Sequence, residues 1–131
     1  MKAKGLVVFL ALGMLFHTGV QAKESVLTAH IGADGSILRQ WPKWIESVQR
    51  EKHINYYSEY KLALNPRIVH LDPGFCSVSP IDNSSYERLL HGQAKVIGKP
   101  AVSQVTVMTQ LVDLKGNSDD NSLEFQLMCT Q

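Results

Sequence analysis

Two runs of strict alternation close the chain, and they restrict its fold more than any other feature. Val105, Val107, Thr109 and Leu111 interleave with Gln104, Thr106, Met108 and Gln110. After a polar run from Lys115 to Ser122, Leu123, Phe125, Leu127 and Cys129 interleave with Glu124, Gln126, Met128 and Thr130. Successive side chains of a strand point to opposite faces, so this period demands two strands that each bury one face. The Gly/Asn/Asp/Ser cluster between them reads as the turn of an antiparallel hairpin spanning Val102 to Gln131. The second arm carries Cys129, and the chain holds one other cysteine, Cys76. A Cys76–Cys129 disulfide is the one intramolecular pairing available, with two separate buried thiols as the alternative. The bridge would close a loop of about 54 residues and contribute on the order of 4 kcal/mol by constraining the unfolded chain.

The other end has the character of a secretory signal. Lys2 and Lys4 give a basic start, Gly5 to Phe16 an apolar core, and Val20-Gln21-Ala22 a small-residue cleavage pattern. That core is shorter than the roughly 20 residues a membrane-spanning helix needs. We expect Met1 to Ala22 to be removed, leaving one domain from Lys23 to Gln131 with no transmembrane segment. Export agrees with a disulfide, which persists in oxidising compartments. Without Lys2 and Lys4 the 13 basic residues become 11, against 12 acidic ones, a net charge of −1. Phosphate backbones need a basic surface, so nucleic acid is not an expected partner.

Val26, Thr28 and His30 alternate with Leu27, Ala29 and Ile31, a strand, and Asp34-Gly35 turns it toward a short return strand at Ser36 to Arg39. Trp41, Trp44, Ile45 and Val48 fall at i, i+3, i+4 and i+7, the spacing of one helical stripe. Pro42 suits the first helical turn, and Glu46 with Arg50 has pair spacing. This predicts a helix whose two tryptophans pack into the core; a surface binding platform is their other use. Ile54 to Leu64 reads as a long strand, with Ser58 interrupting the face of Ile54, Tyr56, Tyr60, Leu62 and Leu64. Extended structure is expected at Arg67 to Leu71, then a turn at Asp72-Pro73-Gly74. Ser84 to Glu87 has capping-box spacing and predicts a short helix that Gly92 stops. Ala94 to Ile97 reads as a brief strand. The expected fold is mainly β: one antiparallel, sandwich-like domain with one or two short helices and one disulfide, with α+β as the other option.

Sequence motifs of catalysis are absent: no Gly-x-Ser-x-Gly, no phosphate-cradling glycine loop, no His-Glu-x-x-His. His30, His53, His70 and His91 are scattered, so neither a metal site nor a cofactor is expected. Asp34, Asp72, Asp82 and Glu87 have plainer roles as turn or cap residues. Asn83-Ser84-Ser85 fits a glycan acceptor but also a turn and cap, the role expected in a bacterial protein. Binding is the better class, with Tyr57 and the Asn117 to Asn121 loop as candidate contacts.

The run Glu24-Ser25-Val26-Leu27-Thr28-Ala29-His30-Ile31 resembles the N-terminal strand of chaperone–usher fimbrial subunits of the alpha class. The resemblance implies a donor strand that completes the unfinished immunoglobulin-like sandwich of a neighbouring subunit. Val26, Thr28 and His30, or the opposite set Leu27, Ala29 and Ile31, would then enter the neighbour's groove. The expected function is that of an exported, non-enzymatic interaction protein in the periplasm or on the surface of a bacterium. It would be a structural or accessory subunit of a surface assembly such as a fimbria, with a protein partner and self-association by strand addition. The alternatives are a monomeric periplasmic binding or inhibitor domain and a small hydrolase whose site assembles only on folding.

Overall fold

The computed structural model describes residues 26–81, 90–113, 116–117 and 120–131. The expected signal, Asp82 to Glu87 and the glycan-acceptor triplet lie outside them. Among the described residues, nine strands form two antiparallel sheets that pack as a sandwich. The first sheet runs in the order β2 (Ile37–Trp41), β1 (Val26–Ile31), β9 (Glu124–Thr130), β5 (Phe75–Ile81). The second runs β3 (Ile45–His53), β4 (Tyr57–Leu64), β7 (Gln104–Asp113), β6 (Leu90–Ile97), with β8 (Gly116–Asn117) paired to β7. No described residue is helical, so none lies in a helix long and apolar enough to cross a membrane.

The alternation read from the sequence builds the core. Leu27, Ala29 and Ile31 of β1 and Phe125, Leu127 and Cys129 of β9 face Tyr60, Leu62 and Leu64 of β4 and Val105 and Val107 of β7. Phe125 and Tyr60 meet edge to face across the gap, ring centroids 5.0 Å apart, a favoured aromatic geometry. Cys76 and Cys129 stand opposite one another on β5 and β9 and are bridged, as expected, rather than left as separate thiols.

Several expectations are corrected. The arms of the C-terminal hairpin do not pair: β7 belongs to the second sheet and β9 to the first. Period two dictates which residues are buried, but two apolar faces satisfy each other equally well across a sandwich as beside one another. The chain crosses between sheets at Asn121 and Ser122. Asn121 is buried there, its Oδ1 accepting from the Leu111 N–H at 2.9 Å and its carbonyl from Thr109 Oγ1 at 2.7 Å. Those bonds satisfy polar groups that burial would otherwise penalise.

The tryptophan helix is also absent. Trp41 ends β2, a cis peptide bond joins it to Pro42, and β3 begins at Ile45. Ile45 pairs with Leu64 and Ser47 with Ala63, so Glu46 is an extra, bulged residue. A bulge shifts the period by one, which places Ile45 and Val48 on the inner side at helix-like i, i+3 spacing. Trp44 is fully buried, its Nε1–H donating to the Thr28 carbonyl at 2.8 Å, whereas Trp41 is 75% exposed.

The second predicted helix also fails over its described part, because Leu90–Ile97 is strand. Gly92 does not stop a helix. A Cβ there would lie 2.8 Å from Leu123 Cδ1, so a glycine lets Leu123 pack over the strand. Ile54 to Tyr56 is the β3–β4 turn rather than strand, with Asn55 at φ 62°, a left-handed conformation Asn tolerates. Ser58, which interrupts the face in sequence, is buried and shares a hydrogen bond with Ser122 Oγ at 3.0 Å. Arg67 and Ile68 lie in a turn, and none of Arg67 to Leu71 is strand.

Candidate functional site

A cleft of about 390 Å³ opens on the outer face of the first sheet, over β2, β1, β9 and β5. Its position follows from the same alternation that buries the inner face. With Leu27, Ala29 and Ile31 inward, Thr28 and His30 must point out. Register then sets the rows. Trp41 lies beside Thr28, Thr28 beside Met128, and Met128 beside Ser77. In the next row Arg39, His30, Gln126 and Ser79 follow one another. Val26, Thr130 and Phe75 make a third row at the other margin. Directly opposed residues stand about 4.5–5.5 Å apart, so each row is a continuous surface.

The composition of this face is distinctive. Trp41, Phe75, Met128 and Val26 are exposed apolar side chains, while the row of Arg39, His30, Gln126 and Ser79 supplies hydrogen-bonding groups. Glu124, two residues before Gln126 on the same side of β9, places its Oε1 2.7 Å from His30 Nε2. Ser79, His30 and Glu124 are the residue types of a nucleophile, base and orienter. Gln126 separates Ser79 from His30, however, and two strand spacings are about 9.6 Å. Proton transfer between them needs about 2.6–3.2 Å, so Ser79 and His30 stand too far apart to act as nucleophile and base.

At the open end of the sandwich the chain is fastened by polar contacts. The Tyr60 hydroxyl donates to the Ala33 carbonyl at 2.7 Å, and Arg50 Nη1 donates to the same oxygen at 3.0 Å. Burial raises the Tyr60 phenol above its usual value. Lys52 Nζ lies 3.1 Å from Asp120 Oδ2. Burial pushes the Asp120 carboxyl up, but the Ser122 hydroxyl and N–H and the Lys52 ammonium outweigh it, bringing its pKa to about 2. In the β1–β2 turn, Asp34 Oδ1 accepts from the Ser36 hydroxyl and N–H, which hold that carboxyl below its usual range. Asp72 Oδ1 accepts from the Val102 N–H at 2.7 Å. Asp34 and Asp72 therefore serve structure, as read from the sequence.

The expected site residues are dispersed. Thr28 and His30 of the proposed donor strand line the cleft, while Leu27, Ala29 and Ile31 lie in the chain's own core. β1 is paired on both sides, to β2 and β9. Tyr57 lies on the opposite sheet, half buried, stacked on His53 with centroids 4.4 Å apart. Asn121, the far end of the candidate loop, is buried. His53 meets Glu51 and Glu59 on the outer face of the second sheet. Arg39 and Met128 were not singled out in the sequence, and Trp41 figured as a surface residue only in the alternative to core packing; reading it as a strand residue opposite Thr28 would have joined the three. No protein-family model, curated protein or solved structure matches the chain.

Proposed function

We propose that the chain is an exported, non-enzymatic interaction domain that binds a protein partner through the outer face of its first sheet. The observation that carries this is Trp41, 75% exposed on a cleft with Arg39 and Met128 around it. Aromatic, methionine and arginine side chains are enriched in protein interfaces, and Trp and Arg dominate binding hot spots. Phe75 and Val26 extend the apolar surface along the same face. The signal-like Met1 to Ala22 and the paired cysteines support an oxidising destination, the periplasm or surface of a bacterium. Of the two interaction readings, the self-contained binding domain is favoured over the strand-donating fimbrial subunit. Donation would require β1 to leave both its ladders and to expose Leu27, Ala29 and Ile31.

The test places a photo-crosslinking residue at position 41 or 128, and at control position 49 or 106 on the other sheet, in cells exporting the chain. The proposal expects one discrete adduct from 41 and 128 and none from the controls. It also expects the purified partner to bind the Trp41→Ala chain at least about tenfold more weakly. Equal adducts from both faces, or a partner indifferent to Trp41→Ala, would refute it.

A further inference from the structure

Glu51 and Glu59 stand directly opposite one another on β3 and β4, at the outer face of the second sheet. Facing like charges destabilise a strand pair, so this arrangement gains from a cation between them. His53, two residues beyond Glu51 on the same face, brings a third donor. Its Nε2 lies 3.9 Å from Glu51 Oε1 and 3.6 Å from Glu59 Oε2. One ligand atom from each residue falls within 4.8 Å of the other two. Charge-assisted hydrogen bonds close to about 2.7–2.9 Å. These gaps stay open, and Nε2 is shielded from solvent without a hydrogen bond. They instead approach the spacing of donors around one ion. Two ligands about 2.05 Å from zinc at a tetrahedral angle stand about 3.4 Å apart. Tyr57, stacked on the imidazole, holds the ring plane that aims Nε2 at the carboxylates, as outer-shell partners do at metal sites.

We propose that Glu51, His53 and Glu59 bind one divalent transition-metal cation of zinc-like chemistry. Imidazole with carboxylate favours zinc, copper or nickel over magnesium or calcium, which take oxygen donors. Three protein ligands leave a coordination position, and the 59% exposure of the Glu51 side chain puts it on the solvent side, for water or a donor from another molecule. The site is exchangeable rather than structural, because the fold is complete around it and Lys61 Nζ, 3.6 Å from Glu59 Oε1, competes for one ligand.

The experiment titrates the untagged, disulfide-bonded chain with cobalt(II), read by its visible absorption, and with zinc(II) by calorimetry. One ion per chain is expected. His53→Ala and the isosteric Glu59→Gln each weaken binding at least tenfold, with circular dichroism verifying the fold. His70→Ala leaves the affinity unchanged, and Lys61→Ala tightens it by freeing Glu59. Failure to bind a stoichiometric ion, or binding that survives both His53→Ala and Glu59→Gln, overturns the site.

Discussion

The two sheets share one core yet turn different chemistry outward. The outer face of the first presents Trp41, Met128, Phe75 and Val26 over a row of Arg39, His30, Gln126 and Ser79. That of the second presents Glu51, His53, Glu59 and Lys61 at its β3–β4 side. Inward, both sheets obey a single demand, to exclude water, and both answer it mainly with alternating aliphatic and aromatic residues, Ser58 and Thr109 being buried polar exceptions. Outward there is no such demand. The difference between the faces underlies both proposals, a protein surface for one face and a cation for the other.

The sharpest contrast is between two tryptophans three residues apart. Trp44→Ala removes a fully buried side chain and should cost about 3–5 kcal/mol in urea unfolding. Trp41→Ala, on the exposed face, should change stability by no more than about 0.5 kcal/mol. Similar losses from both would erase the distinction between face and core. Next in size is the bridge. Replacing Cys76 and Cys129 together by serine should cost about 2–5 kcal/mol. Because the bridge ties β5 to β9, its loss should speed amide exchange in those two strands more than in β3 and β4.

Smaller still is the polar end of the sandwich. Tyr60→Phe takes the hydroxyl from the Ala33 carbonyl, which Arg50 still reaches, and should cost about 1 kcal/mol in the same assay. The least effect is that of Asp120. Its folded pKa of about 2 lies below the usual 3.8, so its contribution is complete above about pH 4 and is lost as pH falls toward 2. The ion pair with Lys52 is half exposed, which limits the loss to less than about 1 kcal/mol. Asp120→Asn should flatten the stability–pH profile in that window and lower stability at pH 7 to 8 by less than about 1 kcal/mol, with no change of slope there.

The inner faces were largely legible in the sequence. Leu27, Ala29 and Ile31, Val105 and Val107, and Phe125, Leu127 and Cys129 are buried as their alternation required, and the disulfide followed from there being two cysteines. Partnership was not legible. Nothing in the alternation of β7 and β9 tells pairing from facing, and the real neighbours of β9 are β1 and β5, distant in the chain. The bulge at Glu46 imitated a helical period, and reading Trp41 to Val48 as helix hid two surfaces at once. It kept Trp41 off β2, and it kept Glu51 and His53 from being seen as i, i+2 neighbours on a strand facing Glu59. Outer residues are under no burial constraint, so they leave no period to read; register had to place them.

Everything proposed for the first sheet depends on Trp41 and Trp44 having opposite surroundings. Acrylamide quenching of tryptophan fluorescence, compared between the Trp44→Phe and Trp41→Phe chains, tests this directly. The strand arrangement predicts that Trp41 alone emits at long wavelength and is quenched severalfold more strongly than Trp44 alone. Equal shielding of the two, as on one buried helical stripe, would contradict it and remove the proposed binding face.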